Sequence, residues 1–168
     1  MKVTVVRGER TAGEQNVSLS KDELERELTR QGEQEHLSLL VDFGDILRQQ
    51  IPSTFLASLS LEQMIEKLRL AGQFILQRES DVKVTLLPLE TPGNYFLFAN
   101  SPDANHIFSS IQEFFHRRSL HFRVVCHPIL SVERNAGQLQ RVAEGIPDLE
   151  LESFVWLELE QLPKRLVP

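Results

Sequence analysis

Cys126-His127 is the one place in this 168-residue sequence where a nucleophile stands beside a base. The stretch around the pair is patterned as a strand, in which neighbours point to opposite faces. The two side chains therefore do not meet, and a buried cysteine is the preferred reading. His121 and His127, six apart, share a strand face but lie ~20 Å from each other, too far to bind one metal ion. His106 and His116, ten apart on an expected helix, pair no better. The chain has no Gly-x-Gly-x-x-Gly, phosphate loop or Cys-x-x-Cys. Asp42-Phe43-Gly44 spells the magnesium-binding tripeptide of protein kinases, but none of the kinase's other signatures accompanies it, so it reads as coincidence. Glu150, Glu152, Glu158 and Glu160 alternate along a strand as a solvated face does. That leaves Ser101 to Asn105, an expected strand-to-helix turn whose backbone N–H groups could receive a carboxylate or phosphate. A plain N-cap is the preferred reading there too. The residues alone assign no catalytic, cofactor-binding or metal-binding side chain.

The elements that would position these residues centre on 94–134. Asn94–Ala99 is apolar and aromatic, as a buried strand is. Ser101 suits an N-cap, Pro102 the first helical position and Asp103 the positive end of the helix dipole. Ala104, Ile107, Phe108, Ile111, Phe114 and Phe115 then form one apolar helix face. Leu120–Leu130 reads as a long returning strand. Asn135-Ala-Gly137 signals a hairpin turn, 143–151 a loop and Glu152–Glu160 a last strand. Gln161-Leu-Pro163-Lys-Arg-Leu reads as the start of a helix that the chain does not complete.

Upstream, Lys2–Val6 reads as a strand and Gly8–Asn16 as a loop. Ser20 and Glu23 form a capping box, opening a charged, marginal helix held by Leu24 and Leu28 and ended by Gly32. His36–Gln50 reads as helix in preference to strand plus helix, and Pro52–Ser58 as a linker or helical turn. Ser60 and Gln63 open a helix running to about Arg78, with Leu61, Met64, Ile65, Leu68, Ala71 and Ile75 on its apolar face. Val82–Leu87 alternates as a strand that forms a hairpin with Asn94–Ala99. The expected class is α+β: an antiparallel sheet with helices packed on one face. The order approaches the βαββαβ pattern of ferredoxin-like and ACT-like domains and is incomplete at its C-terminus. Residues 1–50 would be an N-terminal strand and helical extension, and 51–168 the ACT-like domain.

A net charge of −6 and a pI near 5.4 argue against nucleic acid as the main partner. The basic run His116-Arg117-Arg118 falls at the end of an expected helix, where cations complement the dipole. One cysteine excludes an internal disulfide framework and fits a reducing compartment. The N-terminus does not read as a signal peptide, and no apolar run approaches the ~20 residues of a membrane span. The expectation is a soluble, cytoplasmic protein with neither membrane nor nucleic acid as partner.

Two stretches resemble a known family. His127-Pro128-Ile-Leu-Ser-Val-Glu-Arg134-Asn-Ala-Gly137-Gln-Leu139, followed after a loop by Glu152-Ser153-Phe154-Val-Trp-Leu-Glu158, resembles the N-terminal region of the large NAD-specific glutamate dehydrogenases. In that family a long strand ending in His-Pro-Val leads into an Arg-Asp-x-x-Gly-x-Leu turn, and a later strand opens with Glu-Ser-Phe. Phe55 to Met64 with Leu68–Arg78 is similar to the family's Ser-Pro-Glu-Asp-Leu helix. The resemblance covers about Pro52 to Glu160, and residues 1–50 match only loosely. At the start of the central helix the family carries Met-Pro-Phe-Leu-Val-Asp-Ser, where this chain has Asp103-Ala-Asn-His-Ile-Phe-Ser109-Ser110.

The resemblance implies a non-catalytic, ACT-like module with a regulatory or assembly role, placed before a catalytic domain. The parent enzyme would convert L-glutamate to 2-oxoglutarate and ammonia with NAD; the chain itself would hold no cofactor. Its partners would be the catalytic remainder of the parent chain or another copy, with an amino acid as effector. The unfinished final helix favours a fragment. A stand-alone amino-acid-sensing or interaction domain is the alternative. Ser101, Asp103, Asn105, His127 and Arg134 are the candidate ligand or interface residues.

Overall fold

The computed structural model describes residues 19–163. The strand expected at Lys2–Val6 and the loop at Gly8–Asn16 lie outside them, as does the second half of the helix start expected at Gln161–Leu166; its described half, Gln161–Pro163, is not helical, and Gln161 takes a left-handed φ of 54°. Both capping boxes form. The Glu23 N–H donates to Ser20 Oγ at 3.2 Å and the Ser20 N–H donates to the Glu23 carboxylate at 2.8 Å, opening α1 (Lys21–Arg30). Ser60 and Gln63 make the same exchange at the head of α4 (Leu61–Leu76). Between them lie α2 (Leu37–Gln50) and the single turn α3 (Ser53–Leu56). As expected, α1 is charged and exposed apart from Leu24 and Leu28, which are fully buried. Helices α2 and α4 pack closely because Gly72 has no side chain: a Cβ there would stand 2.6 Å from Leu40 Cδ2.

Six strands follow: β1 (Lys83–Pro88), β2 (Tyr95–Pro102), β3 (His121–Cys126), β4 (Ile129–Asn135), β5 (Gln138–Ala143) and β6 (Glu150–Glu160). They form one sheet in the order β1-β2-β6-β4-β5, with β3 also paired to β6, and every pairing is antiparallel. Helix α5 (Ile107–Arg117) connects β2 to β3. Strands β2 and β3 therefore run parallel to each other with β6 antiparallel between them, a split β-α-β unit of the ferredoxin-like kind. The chain is α+β, as its sequence leads one to expect.

Two further elements differ from the sequence reading. The helix expected to start at Ser101 begins at Ile107, after His106 in a left-handed conformation with no side-chain cap. Ser101 and Pro102 instead extend β2, pairing with Ser153 and Glu152, and the Asp103 N–H donates to Leu151 O at 2.8 Å. The long partner strand β6 satisfies the backbone that an N-cap would otherwise serve. The strand expected over Leu120–Leu130 is two strands, β3 and β4, lying end to end along β6. The break falls at His127-Pro128: proline has no N–H to give the ladder, and its carbonyl accepts from the Phe154 N–H at 3.1 Å.

The sheet has a core on each face. Helices α1–α4 cover one face, burying Phe43, Phe55 and Phe74 against Phe96, Phe98, Phe154 and Trp156, with Phe43 and Phe154 edge to face at 5.1 Å. On the other face Phe115, with Phe108 and Ile111, packs α5 against Ala99, Val155, Leu157 and Leu159. Alternation along β6 sends Phe154 and Trp156 one way and Val155 and Leu157 the other. The boundary expected after residue 50 falls between α2 and α3, within one continuous core.

Candidate functional site

Of the five candidate residues, the structure places Ser101, Asp103 and His127 at one end of the α5 face, Asn105 exposed in the β2–α5 connection, and Arg134 on the opposite face. His127 leaves the strand at the β3–β4 break. Its ring stacks on Phe108 of α5, with centroids 4.6 Å apart, and its Nε2 shares a 2.8 Å hydrogen bond with Ser153 Oγ. Burial lowers the His127 pKa, and the Asp103 charge opposes this only in part. A serine, a histidine and an aspartate thus share one neighbourhood. Ser153, however, is 1 % exposed in the middle of the sheet, where no substrate carbonyl reaches it. The arrangement serves as a structural hydrogen bond, not as a nucleophile with its base.

Cys126 faces away from His127, in the α1–α4 core, as alternation requires. Burial pushes its thiol far above the ordinary range, so it is not a thiolate nucleophile. His121 does not share a strand face with His127. A register shift between Val124 and Cys126 reverses the alternation, leaving His121 on the side of Arg123 and Cys126 while His127 turns to α5. Among the described residues, no group of three or more His, Cys, Asp or Glu could hold a metal ion.

The buried polar centre lies on the helix-covered face, and its key residue overturns a sequence reading. Glu152, expected on a solvated face with the other three glutamates, is 1 % exposed. Arg134 grips it with Nε on Oε1 at 2.7 Å and Nη2 on Oε2 at 2.9 Å, a bidentate pair. Arg78 Nη2 donates to Oε1 at 2.8 Å and Asn100 Nδ2 to Oε2 at 2.9 Å. Burial would raise the Glu152 pKa, but hydrogen bonds from Arg134 and Asn100, with the charges of Arg134 and Arg78, hold it below the usual carboxylate range.

The same guanidinium closes the end of α4. Arg134 Nη2 donates to Ile75 O at 3.1 Å and Nη1 to Gly137 O at 2.9 Å, while the Lys83 ammonium donates to Phe74 O and Gln77 O at 2.6 and 2.7 Å. Cations thereby meet the carbonyls that the end of a helix leaves open. Each Glu152 oxygen accepts two hydrogen bonds, so the cluster is a joint and offers no lone pair for proton transfer. The sequence placed all four glutamates on the strand face of Phe154 and Trp156, since they share its parity, but parity does not single out Glu152 as the buried one.

The residues that carry the family resemblance bond to one another. Arg134 binds Glu152 and Gly137, His127 binds Ser153, and the Phe154 N–H donates to Pro128 O. Three separated segments, His127-Pro128, Arg134–Gly137 and Glu152-Ser153-Phe154, thus form one interlock across β4 and β6. No family model matches the chain, and neither a curated protein nor a solved structure matches it.

Proposed function

We propose that the chain is a non-catalytic regulatory or assembly module of the kind that precedes the catalytic domain in large NAD-specific glutamate dehydrogenases. One observation carries the reading: its fingerprint residues fasten β4 to β6 and to the end of α4 instead of converging on an open cleft. Such a fingerprint marks a scaffold. The parent enzyme would oxidise L-glutamate to 2-oxoglutarate and ammonia, with NAD bound by its catalytic remainder, in the cytoplasm. No helix among the described residues is long and apolar enough to cross a membrane.

An assembly role is supported by β1. Among the described residues it pairs only with β2, and Val84 on it is 56 % exposed, beside Val82 at 59 %. A sheet edge that presents apolar side chains is suited to a neighbouring domain or a second copy. An antibody against this chain, used on extracts of its source cells, tests the proposal. The captured protein should be many times heavier than 19.3 kDa and should reduce NAD in a glutamate-dependent manner. A captured species of 19.3 kDa without that activity would leave a stand-alone amino-acid-sensing or interaction domain as the reading.

A further inference from the structure

Among the described residues the sheet has open edges at β1, β3 and β5, and they are not alike. The β3 edge carries exposed His121 and Arg123 and is broken by the register shift before Cys126. The start of β5 is bridged by Gln77, and its exposed side chains are Gln138, Gln140 and Arg141. Charges and bulges of this kind keep other strands off an edge. β1 is less guarded. Its register with β2 runs unbroken from Lys83 to Pro88, and proline stands only at its last position. Its one cation, Lys83, turns its ammonium to the carbonyls of α4. Val82 and Val84 stand exposed on the α5 side, in line with Leu86. Just before the strand Glu79 and Asp81 are exposed, and among the described residues neither carboxylate has an ion-pair partner. The nearby Arg78 is turned inward to Glu152. β1 thus offers a straight edge with an apolar side and a negative end.

The chain carries a segment that matches this edge in length, pattern and charge. Lys2-Val3-Thr4-Val5-Val6-Arg7 lies outside the described residues, and its sequence is β-branched between two cations. We infer that Lys2–Arg7 adds to β1 of the same chain as a further antiparallel strand, with Thr4 opposite Thr85, Val5 opposite Val84 and Val3 opposite Leu86. Residues directly opposite in such a pair share a face, so Val5 and Val3 cover Val84 and Leu86 on the α5 side. Arg7 falls at the end where Glu79 and Asp81 stand, and Lys2 at the end away from Lys83. A parallel strand in the same place would set Lys2 beside Lys83. The tether is long enough. Leu19 is buried in the α1–α4 core, and Gly8–Ser18 between them spans up to about 36 Å, on the order of the width of a domain of this size. A segment on the same chain also arrives at an effective concentration that a separate molecule must match. The inference rests on the edge and the segment, and not on the dehydrogenase reading. It bears on the assembly role, because a neighbouring domain or a second copy has to displace this strand to reach β1.

Amide hydrogen exchange of the full chain, read residue by residue by NMR, tests this. In an edge strand every second N–H points away from the sheet and exchanges readily. With Lys2–Arg7 in place, the amides from Lys83 to Leu87 should all be protected. Val3→Asp together with Val5→Asp should speed exchange of every second β1 amide by roughly tenfold or more, with the β6 amides and the far-UV spectrum unchanged. Readily exchanging alternate amides in the native chain would overturn the inference, and that measurement needs no variant. Protection that survives the double substitution would overturn it too. Light scattering on the same native sample tells whose strand is bound. Protection in a 19.3 kDa monomer supports the chain's own segment, whereas protection found only in a dimer would overturn it in favour of a second copy.

Discussion

Glu152 decides more than any other single residue, because its carboxylate is where β2, β4, β6 and the end of α4 meet. Glu152→Gln would leave Arg134 and Arg78 buried without a counter-charge. Removing one partner of a buried, hydrogen-bonded ion pair costs about 3–5 kcal/mol, which urea unfolding would register. The native carboxyl is held below its unfolded value of 4.5, so its contribution is present above that pH and is lost as pH falls through the native value. His127 has the same sign at a higher pH. Burial lowers its pKa from 6.5, so the unfolded chain takes up the proton first and stability falls as pH drops below 6.5. His127→Gln should flatten the dependence of Tm on pH between about 7 and 5.5. An unchanged slope would mean that the stacked ring does not titrate differently on folding. His127 was legible as a candidate from its residue type alone. Glu152 was not, because four alternating glutamates look alike until the strand's buried side is known.

Among the elements, those set by local chemistry were readable and those set by pairing were not. Ser20–Glu23 and Ser60–Gln63 opened their helices because a capping box is complete within four residues. Ser101-Pro-Asp carries equally good local signals, and it failed because β6 runs eleven residues and holds β2 in the ladder through Pro102. The β4–β5 hairpin was readable since Ala136 and Gly137 both take positive φ, the geometry that a two-residue turn requires. What the sequence did not show is that this turn also docks on the end of α4. The Arg78 N–H donates to Gly137 O at 3.0 Å, and a Cβ on Gly137 would stand 2.5 Å from Arg78 O, at a φ of +81°. Gly137→Ala should therefore cost more than the about 1–3 kcal/mol of backbone strain alone. Lys83→Met should cost about 1.5–3 kcal/mol by uncovering the carbonyls of Phe74 and Gln77. Far-UV melts of the two variants check both figures. If Gly137→Ala matched the native melt, the turn would not be braced by α4.

At the scale of the whole molecule, β6 belongs to both cores, and this makes the chain one cooperative unit despite its two faces. Phe154 and Trp156 enter the core under α1–α4, while Val155, Leu157 and Leu159 enter the core under α5. Neither core can dissolve without releasing the strand that supports the other. The chain carries a separate reporter for each, because its one tryptophan is Trp156 and its one tyrosine, Tyr95, packs on the α5 side. In urea, Trp156 emission and the near-UV dichroism of Tyr95 should change at the same midpoint, the mark of a two-state transition. Leu157→Ala sharpens the test. Leu157 is fully buried on the α5 side, and its truncation should cost about 2–5 kcal/mol. If β6 couples the faces, the midpoint reported by Trp156, on the far side of the sheet, falls as much as that reported by Tyr95. A fall confined to Tyr95 would mean that the α5 face unfolds by itself, and the layer of α1–α4 would then be a separate unit.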